Sequence, residues 1–299
     1  MRAGYIPAAA LCAVCIGLPA FGAETADPAE AFLGPWGRNA FNFEPIPGQP
    51  APLTNLNRLP DGSADAGQLV GDYNNPILKP AAAETVRKQG EISKTGRAYP
   101  DPSNHCGPYQ PPFTYAMQLG IRILPGKDHL TMIYNQDDQI RRVRMNTAHP
   151  RNLKPSPMGD SVGHWEGDTL IVDTVGVQSF PFSMVDRYGV PVTDSLHVVE
   201  RYRLIDGTTA KQAQDAFERS EGRVGGAPGA MVLDPNTSVK GLQVQISVED
   251  PKMFTTAWSA TSTYRRTPTP WLEQVCAEDD YDAIEGKTRD IPHAKSRDF

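Results

Sequence analysis

The chain has 299 residues, with 29 basic and 35 acidic side chains and a formal net charge of −6 at pH 7. That length holds one large β domain or two small ones. The acidic balance, and the lack of any basic stretch interleaved with aromatics, argue against nucleic acid as a partner. Arg141, Arg142 and Arg144 alternate with hydrophobics and read as one strand rather than a basic patch.

Residues 1–23 read as a signal peptide. Arg2 supplies a positive start, Ile6 to Leu18 is an apolar run too short for a transmembrane segment, and Ala20-Phe21-Gly22 offers small residues for cleavage after Gly22 or Ala23. The expected location is therefore periplasmic or secreted. Cys12 and Cys15 leave with this segment, so Cys106 and Cys276 are the cysteines of the mature chain. An even count in an exported protein favours one disulfide between them over two inert buried thiols.

Residues 24–112 read as an N-terminal wrap with one helix. The helix starts at Pro80, whose missing amide suits the first turn, and continues through Ala81–Ala83, Val86 and Lys88 until Gly90 or the Ser93–Gly96 region. Pro102, Pro108, Pro111 and Pro112 then set a rigid loop around His105 and Cys106. A β domain is expected over 113–267: Phe113 to Leu124, Leu130 to Tyr134, Ile140 to Met145, a hairpin over 162–175, Leu196 to Leu204, Leu242 to Val248 and Ala257 to Tyr264. Prolines over 146–160 break the succession as a covering loop. Residues 208–240 are an inserted segment that begins with a polar helix, and 268–299 form a helical tail. About eight strands without a βαβ rhythm predict a mainly β fold, an antiparallel meander closed into a barrel with peripheral helices. A sandwich is the competing fold.

The densest polar grouping lies in Gly163-His164-Trp165-Glu166-Gly167-Asp168-Thr169-Leu170-Ile171-Val172-Asp173, where Gly167-Asp168 reverses the chain between two alternating strands. His164, Glu166, Asp168 and Asp173 fold onto one patch of sheet. In the strand from Leu196, His197 and Arg201 share one face, while Glu200 shares the other with Val198 and Tyr202. A functional reading turns His197 and Arg201 into the barrel: the imidazole moves a proton, the guanidinium holds an anionic or enolate oxygen, and Asp173 orients the imidazole. His164 is the other candidate base. Trp165, Tyr134 and Tyr202 are candidate substrate contacts, as is Arg144, although Arg142 and Arg144 bracket Val143 and suit a solvent-facing side. No histidine pair has zinc-ligand spacing, and no P-loop, dinucleotide fingerprint or serine-nucleophile motif occurs, so no metal or cofactor is expected.

The run Gly159 to Thr174, His197-Val198-Val199-Glu200-Arg201-Tyr202, Glu249-Asp250-Pro251 and the residues around Cys276 resemble a large family of exported bacterial proteins. Cys106 with Pro108 is similar to that family's first Cys-Pro block. The resemblance spans about residues 70–280 and implies export and a mainly β, lipocalin-like fold; it implies no particular reaction. Two departures stand out. The family usually carries His where this chain has Asp160, and it lacks the insertion 208–240, which here caps a pocket or makes a homodimer contact. The functional expectation is a cofactor-free acid/base enzyme (lyase, dehydratase or isomerase) acting on a small hydrophobic or aromatic molecule. The alternative is a secreted binding protein for such a ligand, without turnover.

Overall fold

The computed structural model describes residues 28–96, 102, 106–117, 120–221, 231–271, 281–282, 287–288 and 296. The expected signal segment, His105 and Cys276 lie outside the described residues.

One 10-stranded sheet dominates: β1 (Gly34–Gly37), β2 (Glu44–Pro45), β3 (Ile121–Pro125), β4 (His129–Tyr134), β5 (Gln139–Met145), β6 (Asp160–Glu166), β7 (Thr169–Val175), β8 (His197–Ile205), β9 (Gly241–Glu249) and β10 (Trp258–Arg266). Neighbours run β1-β3-β4-β5-β6-β7-β8-β9-β10, and β10 returns to β1 through Trp36 opposite Arg266 and Gly37 opposite Arg265. Nine strands thus close into a barrel, with β2 as an extra partner of β10. Closure removes the open edges and rules out the sandwich. The result is a largely antiparallel, lipocalin-like barrel with peripheral helices, as the strand pattern predicts.

An odd ring cannot alternate direction all the way round. The exception here is β5 beside β6, which pair in parallel, Val143 opposite Ser161 and Met145 opposite Gly163. A parallel pair needs a return connection of roughly a dozen residues or more. The proline-rich stretch 146–159 is that connection. It lies on the outer wall, where Ser156 bridges to Val177, its amide bonds the Gly176 carbonyl at 3.1 Å, and the His149 ring reaches carboxylates of β6 and β7. The β6–β7 hairpin turns on Gly167, which has a φ of +63°, while Asp168 does not have a positive φ, the pattern of a type II′ reversal.

The alternating strands place one face in the lumen. In β8, Val198, Glu200 and Tyr202 are buried, as are Leu170, Val172 and Thr174 of β7 and Leu242, Val244, Ile246 and Val248 of β9. Helix α1 (Pro80–Lys94) ends in the Ser93–Gly96 region rather than at Gly90, because Gly90 and Ser93 continue the buried stripe of Ala82 and Val86 and Ser93 Oγ accepts the Leu69 amide at 2.8 Å. Helix α2 (Gly207–Glu221) lies across β9 and β10. Gln214 donates to the Thr263 carbonyl at 2.9 Å, and a side chain at Gly241 would collide with Ala210.

Three expectations need correction. Gly34–Gly37, read as part of the wrap, is a barrel strand that pairs on both sides. Phe113–Tyr115 is a single 3-10 turn, not the start of a long strand. In the expected helical tail, Tyr281–Asp282 pairs as a strand with Lys287–Thr288, and residues 272–280 lie outside the described residues. The expected disulfide is also narrowed: no bridge joins two described cysteines. Cys106 is disulfide-bonded, but Cys276 is not among the described residues.

Candidate functional site

The lumen contains a polar hub that the sequence reading did not assemble. Arg141 of β5 and Glu200 of β8 lie on strands separated by β6 and β7, yet they meet across the interior at 1% and 0% exposure. The contact is bidentate, NH1 to Oε1 at 2.8 Å and NH2 to Oε2 at 2.6 Å. Arg141 Nε donates to Ser161 Oγ at 2.9 Å, NH2 also donates to Thr174 Oγ1, and NH1 lies 3.1 Å from the Tyr115 hydroxyl and 3.3 Å from that of Tyr134. Tyr115 bonds both Tyr134 and Tyr202, and the Tyr202 hydroxyl lies 3.5 Å from Met132 Sδ. Every N–H of the guanidinium therefore has an acceptor.

The hub sits toward one end of the barrel, since β4 ends at Tyr134, β6 begins at Asp160 and β7 ends at Val175. Its phenols and its guanidinium are held away from neutrality. Burial, reinforced by the Glu200 charge, pushes the Tyr115 and Tyr202 phenols well above their usual value, and burial raises Tyr134. Burial alone would lower Arg141, but the Glu200 carboxylate reverses that and holds it charged. From the hub to the opposite end the lining is Leu130, Val143, Leu170, Val172, Leu242 and Val244. There Phe32 meets the partly buried Trp165 edge-on at 5.2 Å. A closed barrel of this strand number is able to enclose one small hydrophobic or aromatic molecule.

The predicted catalytic residues lie elsewhere. His197 and Arg201 occupy the outward face of β8, and His164, Glu166 and Asp173 the outward faces of β6 and β7. They form two outer networks. In one, Glu166 accepts from Arg201 at 3.0 Å and meets His164 at 3.2 Å, all three about half exposed. In the other, His197 Nε2 lies 3.1 Å from both oxygens of Asp173, and His149 faces Asp173 at 3.0 Å and Asp160 at 2.6 Å. Arg144 completes it, reaching the two Asp160 oxygens at 2.7 and 3.0 Å. Arg144 is thus a wall residue and not a lumen contact, in line with the solvent-facing reading of its strand. Of the expected contacts, Tyr134 and Tyr202 do face the lumen, with their hydroxyls committed to the hub.

The lyase, dehydratase or isomerase site expected inside the barrel is therefore corrected. The face of β8 that enters is the one with Val198 and Tyr202, and it carries Glu200 inward in place of His197 and Arg201. Apolar content decides this: turning the strand over would expose Val198 and Tyr202 and bury two polar heads. The sequence pattern contained that signal. It did not contain the partner, since Arg141 lies in a strand where Arg142 and Arg144 carry the same charge. His149, in the connection, had no periodicity to mark it.

The outer network has a pH signature. The Asp173 hydrogen bond raises His197 above its ordinary 6.5, and the same contact, with a further one from His149, lowers Asp173 below 3.8. A raised histidine contributes stability that is full below 6.5 and fades as pH rises through the raised value. His197→Gln is expected to lower the melting temperature at pH 6 and to lose most of that deficit by about pH 9. Thermal melts at the two pH values check this; an equal deficit at both would assign His197 a packing role.

Among the described residues, no group of three His, Cys, Asp or Glu side chains is arranged to hold a metal ion, and no helix is long and apolar enough to cross a membrane. Comparison with protein-family models, with curated proteins and with solved structures returns no match.

Proposed function

We propose that this chain is an exported binding protein that takes a small hydrophobic or aromatic molecule into its barrel and releases it unchanged. One observation carries the reading: the Arg141–Glu200 pair of the lumen is closed on itself, and among the described residues the lining beyond the hub is mainly apolar. An enzyme working by proton transfer needs a titratable pair within reach of the ligand. The histidines and carboxylates that fit such work stand on the outer wall. Export is supported by the charged, apolar and small-residue pattern of residues 1–23.

The ligand is placed between the hub and the Phe32–Trp165 contact. The phenol edges of Tyr134 and Tyr202 form the floor, and Phe32 swings aside for entry. Binding then changes the surroundings of Trp165, which packs on Phe32, and of Trp36, whose Nε1 donates to the Phe32 carbonyl at 2.8 Å. Titrating the protein with a panel of apolar aromatics should shift tryptophan fluorescence and saturate with a Kd of about 1–100 μM, or −8 to −5 kcal/mol. Phe32→Trp should weaken entry, and mass spectrometry should recover the ligand unaltered. A converted product, or a fluorescence response that never saturates for any member of the panel, would remove the reading.

A further inference from the structure

The outer wall carries a cleft of about 370 Å³, separate from the barrel lumen. It lies where the turn between β3 and β4 faces the end of β5, and Asp128, His129, Arg142, Arg144, Met145 and Thr147 line it. Two guanidiniums thus stand against one carboxylate in the lining. The Asp128 carboxylate holds His129 Nδ1 at 2.8 Å and points largely into solvent, so it offsets the nearby Arg142 charge only in part.

The two arginines differ in what they have left to offer. Arg144 spends only NH2 on Asp160 and on the Ala148 carbonyl, so its NH1 and Nε keep their donors. Asp160 also fixes the plane of that guanidinium, an arrangement that pre-positions a fork for a planar oxyanion. Arg142 is two residues earlier on the same outward face. It is exposed and has no hydrogen bond or ion pair among the described residues. Two cations placed side by side repel unless a counter-charge lies between them. The exposed Thr147 supplies a hydroxyl donor at the rim, and the half-buried Met145 gives an apolar floor.

We propose that this cleft binds a small oxyanion, a carboxylate or phosphate head group, between Arg142 and Arg144. It is separate from the lumen, so it stands or falls independently of the proposed ligand inside the barrel.

The test uses the full mature chain and two probes, inorganic phosphate and benzoate, each followed by amide chemical-shift changes against matched ionic strength in sodium chloride. Saturable shifts at the amides of 126–129 and 142–147, with a Kd of about 1 mM or tighter, are expected for at least one probe. Saturation by both assigns recognition to the head group alone. Saturation by benzoate only assigns the Met145 floor a share and makes an organic acid the ligand. Arg142→Gln, at an exposed position, should weaken binding about tenfold or more while leaving the fold intact, since a charge-assisted hydrogen bond is lost. Arg203→Gln, on the outward face of β8, should leave the affinity unchanged. The same shifts from chloride, no saturation by either probe, or an unaltered affinity in Arg142→Gln would each overturn the assignment.

Discussion

Glu200→Gln is expected to destabilise the protein by about 3–5 kcal/mol, because it leaves the Arg141 guanidinium buried and unpaired. The geometry sets that magnitude: both partners are almost wholly inaccessible, and the contact uses two parallel hydrogen bonds. An arginine cannot escape by shedding its proton. Removing the other partner should behave differently. In Arg141→Met the stranded Glu200 carboxylate can take up a proton, so the penalty should shrink as the solution is acidified, whereas the Glu200→Gln penalty should not. Replacing both residues, as Arg141→Met with Glu200→Leu, should cost less than either single change, since a well-packed apolar pair often matches a buried ion pair. Urea unfolding at pH 5 and pH 7.5 separates these cases. A Glu200→Gln loss below about 1 kcal/mol would mean that water reaches the hub and that the barrel is open at that end.

The hub also explains which parts of the fold were legible in the sequence. Strands β3 to β10 were readable because each alternates and each is bounded by turn residues, as Gly167-Asp168 does between β6 and β7. β1 was not. Gly34-Pro35-Trp36-Gly37 has no alternation and contains two residue types that weaken strands. It becomes a strand because β3 and β10 each offer it an unpaired edge, Ile121 to Trp36 and Arg266 to Trp36, which only the closed ring brings together. Similarly, the break at 146–159 was visible as a loop, but its task of reversing the chain for a parallel neighbour follows from the odd strand number.

The candidate site was less legible for a related reason. Alternation divides β8 into two faces, and the apolar residues choose the inner one. A histidine and an arginine four residues apart suggest chemistry wherever they point, and that drew the expected site to the wrong face. Charge pairs between distant strands, such as Arg141 and Glu200, are set by register, which a single strand does not display.

The connection between β7 and β8 supplies the second large effect. Asp186→Asn is expected to stabilise the protein at pH 8 by up to about 3 kcal/mol and to have little effect at pH 4. Asp186 is buried beside Val185 and Tyr188, and Oδ1 accepts the amides of Tyr188 at 2.9 Å and Val190 at 3.3 Å. Burial raises the carboxyl from 3.8 to about 6, against the lowering effect of those amides. Its folded value exceeds its unfolded one, so the native state holds the proton more tightly. The stability this confers is complete below 3.8 and is lost as pH rises through about 6. At about 1.36 kcal/mol per pH unit, the gap between the two values corresponds to roughly 3 kcal/mol. Asparagine keeps an acceptor oxygen for both amides and never ionises. The advantage of the variant should therefore appear between pH 4 and pH 7 and remain constant above that. Urea unfolding across this range reads it directly. A variant less stable than the parent at pH 8 would show that the ionised carboxylate is the form the loop is built around, its amides outweighing the cost of burial.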